Sequence, residues 1–212
     1  MQVGFVTDQG GSKKENEDSF LVDTDRGIFI VADGLGGHNA GKCASKIAIE
    51  EISLFLSQNL VPEKSAMGST VVVALLQENR FLVSNVGDSR AYLIKDGFIK
   101  QLSEDHTFVA EWVKSGTITK EEARNHEARR GLWMALGVEG DVQPYSIDGA
   151  WNSDSCLLLC SDGLTDVVED NEILRLVNQS KDAQDACEQL LIRAKELGTS
   201  DHVTVLIACG QC

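Results

Sequence analysis

Short runs of apolar, often β-branched residues recur along the chain, each closed by a polar or glycine-bearing turn. Residues 3–7 (VGFVT), 19–22, 27–32 (GIFIVA), 156–160 (CLLLC) and 202–208 (HVTVLIA) are too short for helices and read as strands, several of them buried. Residues 69–77 (STVVVALLQ), 80–86, 90–95 and 98–102 are separated by turn signals at Glu78-Asn79, Gly87-Asp88 and Asp96-Gly97, the spacing of an antiparallel meander. Helical spacing appears after Asn39, a cap residue, with apolar positions at Ala44, Ile47, Ala48, Ile52, Phe55 and Leu56, so a helix is expected to about Gln58. Shorter helices are expected over 108–114, 119–124, 171–177 and 182–197. The second opens on a Thr119…Glu122 capping box and the last ends at Gly198. Residues 9–18 read as a loop, 62–68 as a connector and 125–140, which have no period, as a flap. Strands in two groups with helices between and after them predict an α+β fold, a β-sandwich flanked by helices.

Composition narrows the picture. With 212 residues, 42% hydrophobic and 25% charged, and only two prolines, the chain is expected to fold as one domain over 1–212. It has no apolar run of bilayer-spanning length and no signal-peptide pattern, which suggests a cytoplasmic protein. Most of the six cysteines lie in apolar surroundings and suit reduced, buried thiols. Cys209 and Cys212 have CxxC spacing but no following helix, so a redox or zinc role is not expected. A net charge of −14 argues against nucleic acid and against anionic membrane surfaces as partners. No apolar interface stripe stands out, and a monomer is expected.

The acidic residues change the picture by position. Asp33 and Asp162 each end an apolar strand and precede glycine, and Asp201 opens another strand. Carboxylates that converged there would repel one another and call for bound cations; carboxylate oxygens and the open carbonyls of Asp33-Gly34-Leu35-Gly36-Gly37 are what hard divalent ions seek. Independent Asp-Gly turns would give the same spacing.

Read together, the motifs resemble the metal-dependent protein phosphatases of the 2C type in their bacterial form. The resemblance runs in order from Thr7-Asp8-Gln9-Gly10 and Asn16-Glu17-Asp18-Ser19, through Ala32-Asp33-Gly34-Leu35-Gly36-Gly37-His38, Gly68-Ser69-Thr70 and Asn85-Val86-Gly87-Asp88-Ser89-Arg90. It continues through Leu102-Ser103-Glu104-Asp105-His106-Thr107 to Ser161-Asp162-Gly163-Leu164-Thr165-Asp166 and Asp201-His202-Val203-Thr204-Val205. It implies a central antiparallel β-sandwich with helices on both outer faces. At one end would lie a site for two Mn²⁺ or Mg²⁺ ions that activate a bridging water to hydrolyse phosphoserine and phosphothreonine. The substrates would be phosphorylated proteins, in opposition to a Ser/Thr kinase. By resemblance, Asp33 bridges the ions, the Gly34 carbonyl binds one, and Asp162 and Asp201 complete the other. Glu17 and Asp18 would hold metal-bound waters, and Asp105, Asp162 and Asp166 would form a third, weaker site.

The chain departs from the family's pattern in places. Lys13 stands where an arginine usually grips the substrate phosphate; lysine keeps the charge and loses the bidentate fork. His202 replaces an asparagine and is expected to make the same hydrogen bond as a neutral ring. Leu35 replaces a bacterial methionine, and His38 is expected to be structural. Residues 50–67 are shorter than the family's segment, and Arg129-Arg130 in the flap stand where proline and asparagine are frequent nearby. Such changes leave a second expectation open: a weakly active or inactive phosphatase-like regulator that binds a phosphoprotein or another partner.

Overall fold

The structure is a computed structural model that describes residues 1–11, 15–35, 39–55, 68–137 and 142–210. Its strands, in chain order, are β1 (Gln2–Asp8), β2 (Ser19–Asp23), β3 (Ile28–Ala32), β4 (Gly34–Leu35), β5 (Gly68–Ser69) and β6 (Val71–Gln77). They continue with β7 (Arg80–Val86), β8 (Arg90–Lys95), β9 (Phe98–Gln101), β10 (Tyr145–Ala150), β11 (Cys156–Cys160) and β12 (Val203–Cys209). The helices are α1 (Asn39–Phe55), α2 (Phe108–Lys114), α3 (Lys120–Asn125), α4 (Asp162–Thr165), α5 (Asp170–Gln179) and α6 (Ala183–Glu196).

Two five-stranded antiparallel sheets stack face to face, one in the order β1-β12-β11-β8-β9, the other β10-β7-β6-β3-β2. The alternation of side chains explains why the central strands are apolar throughout. Phe29 and Val31 of β3, Leu157 and Leu159 of β11 and Leu206 and Ala208 of β12 meet between the sheets. Their neighbours in sequence face outward. Ile28, Ile30 and Ala32 pack on Ala48 and Ile49 of α1. Leu158, Cys160, Val205 and Ile207 pack on Leu164 of α4, Ile173 of α5 and Cys187 and Leu190 of α6. Each fully buried leucine or isoleucine in these layers contributes about 1.5–3 kcal/mol. The result is an α+β sandwich with helices on both outer faces, as the sequence predicts. Among the described residues no helix is long and apolar enough to cross a membrane.

The structure corrects the sequence reading in several places. The expected meander is two hairpins in different sheets: β6 pairs β7 in one and β8 pairs β9 in the other. The chain crosses between sheets at residues 87–89, because the turn there runs past the sandwich edge instead of folding back. Strand β10, which pairs β7, was not predicted, although its burial alternates residue by residue along YSIDGA. The Thr119–Glu122 capping box is present as expected. The predicted end of α1 beyond residue 55, residues 62–67 of the connector, Lys13, His38 and Cys212 lie outside the described residues.

The cysteine expectation is corrected for two residues. Cys156 and Cys209 stand opposite each other in the β11–β12 register and form a disulfide. Hydropathy cannot reveal register, so the pairing was invisible in the sequence. Cys43, Cys160 and Cys187 are free.

The disulfide closes a sequence separation of 53 residues. Reduction is therefore expected to lower stability by about 2–4 kcal/mol, seen as a lower urea midpoint with a somewhat steeper slope, because the reduced unfolded chain is less compact. Cys156→Ser should match the reduced protein with or without reductant. Equal midpoints for oxidised and reduced protein would contradict this.

Candidate metal centre

The strand order brings separate carboxylates to one end of the sandwich. Asp33 follows β3, Asp162 follows β11, Asp201 precedes β12, and Glu17 and Asp18 precede β2. Buried β3 delivers Asp33 to this edge, and hydrogen bonds then fix its backbone. The Asp33 carbonyl accepts from Thr70 N at 2.9 Å and Ser69 Oγ at 2.8 Å. Its N–H donates to Thr70 Oγ1 at 3.2 Å. Gly34 then passes so close to α1 that an added Cβ would lie 2.1 Å from the Gly41 carbonyl oxygen. A Cβ on Gly41 would lie 2.8 Å from both the Gly34 carbonyl and Glu17 Oε1, so these two oxygens share one small space that no side chain fills.

Asp18 ties the strands together. Its Oδ2 accepts from Ser161 Oγ at 2.8 Å, just after β11, and from Thr204 Oγ1 in β12. Glu17, beside it, is buried, and its carbonyl accepts from Ser45 Oγ of α1 at 2.6 Å. Asp162 opens the single-turn helix α4, which Gly163 allows to lie against β12: a Cβ there would be 1.8 Å from the His202 carbonyl oxygen. Asp201 Oδ1 accepts from the His202 N–H at 2.9 Å, and its Oδ2 meets Arg130 Nη1 at 3.1 Å.

His202 is fully buried. Its Nδ1 accepts from the Glu17 N–H at 3.4 Å, so Nε2 carries the proton and donates to the Glu15 carbonyl. The ring thus clamps the loop that presents Glu17 and Asp18. This agrees with a neutral, hydrogen-bonding role, although the ring also comes close to Asp18 and Asp33: one ligand atom from each of the three lies within 4.8 Å of the others.

The electrostatics are those of crowded acids. Burial, and then the charges of Asp18, Asp162, Asp88 and Asp201, push Asp33 well above the carboxylate range. Burial, followed by Asp88, Asp166, Asp201 and Asp18, does the same to Asp162. Burial also raises Asp18, against the hydrogen bonds of Thr204 and Ser161. Asp88 is pushed up to about 7 by burial and the charge of Asp105, with Arg90 opposing. Among the described residues, the buried oxygens without a hydrogen-bond partner are Glu17 Oε1, Asp18 Oδ1 and Asp162 Oδ1. Unpartnered buried carboxylate oxygens are costly, and a divalent cation is the partner that satisfies several at once. The donors are all hard oxygens, which suits Mg²⁺ or Mn²⁺. The residues therefore fit the ions that the sequence implies.

Asp33, Asp162, Asp201 and Asp18 converge at this end of the sandwich, with Glu17 and the Gly34 carbonyl beside them. Asp166 faces the adjoining cleft of about 410 Å³, which Asp88, Asp105, Asp162, Arg90 and Arg129 also line. Asp105 is less available than the sequence suggests. Both its oxygens take Arg90 donors at 2.6–3.0 Å, and Gln101 adds a bond at 2.8 Å. Sequence reasoning missed Asp88, reading Gly87-Asp88 as an ordinary hairpin turn. The crossing between sheets at this point is what carries it to Asp162. The signal available was a third aspartate beside a glycine at a strand end, here in the reverse order, Gly87-Asp88.

The sequence model described as Protein phosphatase 2C matches residues 48–111 and 145–203. The serine/threonine phosphatase stp of Listeria monocytogenes is 33% identical, over 98% of this chain and 95% of that one. The chain belongs to the protein phosphatase 2C family. Among solved structures, the serine/threonine phosphatase Stp1 from Staphylococcus aureus superposes with a TM-score of 0.91 at 34% identity, covering 100% of this chain and 96% of that one. The catalytic domain of PstP, solved in complex with two manganese ions, superposes with a TM-score of 0.83 at 30% identity, covering 97% of each chain. Relatives within the family thus share the sandwich and, in PstP, bind manganese.

The raised carboxylates set the sign of a pH effect. Asp88 titrates near 7 in the fold against an ordinary 3.8, so between these values the folded state keeps a proton that the unfolded chain releases. Stability of the metal-free protein should therefore fall as pH rises through that window. Asp33, Asp162 and Asp18 act in the same direction. Scanning calorimetry from about pH 5 to pH 8 should show a falling melting temperature without divalent ions and a recovery on adding Mn²⁺. A metal-free melting temperature that rises across this window would contradict the assignment.

Proposed function

We propose that the chain is a Mg²⁺- or Mn²⁺-dependent phosphatase acting on phosphoserine and phosphothreonine in proteins, carried by one domain over residues 1–212. The observation that supports this reading most is the set of unpartnered buried oxygens of Glu17, Asp18 and Asp162 around Asp33 at one end of the sandwich. Membership of the family and the names of its relatives agree with it.

In this reading Asp33 and the Gly34 carbonyl, with Asp162 and Asp201, hold the ions, and Glu17 and Asp18 orient the water around them. Asp162 and Asp166, with Asp88 or Asp105, are the candidates for a third ion; Asp88 is the better placed, because Arg90 occupies Asp105. Bound divalent ions supply Lewis acidity, which neutralises phosphoryl oxygens and makes water a nucleophile near neutral pH. The protein's part is to keep the donors where the ions need them. Ser161 and Thr204 turn one oxygen of Asp18 away, leaving Oδ1 for the site. His202 holds the Glu15–Glu17 backbone, and the Ser69–Thr70 bonds hold that of Asp33. Lys13 supplies a cation for the substrate phosphate. The substrates are cytoplasmic phosphoproteins, the opposing activity is a Ser/Thr kinase, and the working unit is a monomer.

Turnover of p-nitrophenyl phosphate should require added Mn²⁺ or Mg²⁺. Asp33→Asn and Asp162→Asn should each lower kcat by about 100-fold or more, because each removes a charge that holds an ion. A phosphothreonine peptide should be hydrolysed under the same conditions. Turnover that ignores metal, or survives both substitutions, would sink the reading.

A further inference from the structure

The flap places one cation inside the carboxylate cluster. Arg130 Nη1 is 3.1 Å from Asp201 Oδ2, while its Nε and Nη2 donate to Asp166 Oδ2 at 3.1 and 2.9 Å. Arg129, next in the chain, approaches Asp166 only to 3.9 Å. One planar guanidinium therefore spans two carboxylates on different elements, α4's C-terminal end and the start of β12. Asp201 is buried, whereas 42% of the Arg130 side chain is exposed, so the arginine reaches inward from the cleft mouth.

The backbone around Arg130 is anchored. Gly131 O accepts from Phe108 N at 2.9 Å, Gly131 N donates to Ala128 O at 2.9 Å, and Trp133 N donates to His106 O at 3.0 Å. Leu132 bridges to Thr107 in antiparallel fashion. The freedom that remains belongs to the side chain.

Two chemical constraints follow. A divalent ion on Asp201 and a guanidinium on Asp201 Oδ2 draw on the same lone pairs, so binding of one weakens the other. A guanidinium displaced by ions would sit at the entrance through which a phosphate dianion arrives, and its fork matches two phosphoryl oxygens. Lys13, in the first motif, offers only a point charge.

We propose that Arg130 is a phosphate-positioning residue of this chain, competing with the ions for Asp201 and Asp166 and, once displaced, gripping the phosphoryl group of the substrate. The proposal rests on the phosphatase reading above and adds a residue to Lys13 for substrate binding in it.

The test compares wild type with Arg130→Ala and Arg130→Lys. Calorimetric titration with Mn²⁺ gives a readout independent of turnover: Arg130→Ala should bind Mn²⁺ about fivefold more tightly, since a competing cation is gone. On a phosphothreonine peptide its KM, and the Ki of inorganic phosphate, should rise about tenfold, with kcat changed far less. Arg130→Lys, which keeps the charge without the fork, should lie between for KM and Ki. Circular dichroism and the melting temperature establish that each variant is folded. Wild-type turnover together with an unchanged Mn²⁺ affinity or an unchanged KM in Arg130→Ala overturns this proposal and leaves the phosphatase reading intact. Absence of metal-dependent turnover in wild type overturns both.

Discussion

Mutual repulsion among buried carboxylates is the constraint on which the site depends. Asp18, Asp33, Asp88 and Asp162 are all raised, with burial as the largest cause and neighbouring acids adding to the shift in Asp33, Asp88 and Asp162. A fold selected for stability alone would not gather them. Surface acids separate to reduce repulsion, or pair with lysine and arginine at little gain. Here they are held together and partly unpartnered, so the arrangement becomes favourable only when protons or cations neutralise it. That makes metal binding and protonation competitors for the same oxygens.

Holding like charges together takes a rigid frame, and the sandwich provides one. β3, β11 and β12 are packed on both faces, so their ends cannot drift apart without opening the core. Polar bonds then tie one element to the next at the charged end. Asp18 links the loop before β2 to Ser161 and Thr204, His202 links β12 to Glu15 and Glu17, and Thr70 and Ser89 connect β6 to the crossing before β8. At the far end of β11 and β12, the Cys156–Cys209 disulfide closes the same strand pair that delivers Asp162 and Asp201. Apolar packing sets the positions, and hydrogen bonding sets the orientations. Acidic chemistry is confined to one edge.

Much of this was legible in the sequence because local pattern and chemistry coincided. IFIVA and CLLLC announce buried strands, and an Asp-Gly pair after each marks where a carboxylate leaves the core. What the pattern could not carry was long-range register. Asp88 sits in what looks like a hairpin turn, and only the passage of the chain from one sheet to the other turns it toward Asp162. The pairing of Cys156 with Cys209 depends on register in the same way. Asp105 has a partner that the sequence pattern does not reveal. Its place in a motif implies a metal ligand by resemblance, and Arg90, two residues beyond Asp88, engages both its oxygens. His202 illustrates a middle case, in which the residue type left several roles open and two hydrogen bonds to the Glu15–Glu17 backbone favour the structural one.

The central claim is that these carboxylates exchange protons for divalent cations. It is tested most directly by titrating the protein with Mn²⁺ in a calorimeter at about pH 6.5, in two buffers of different ionisation enthalpy. The account predicts saturable binding whose heat differs between the buffers by the amount expected for net proton release. Binding with the same heat in both buffers, or no binding, would contradict it.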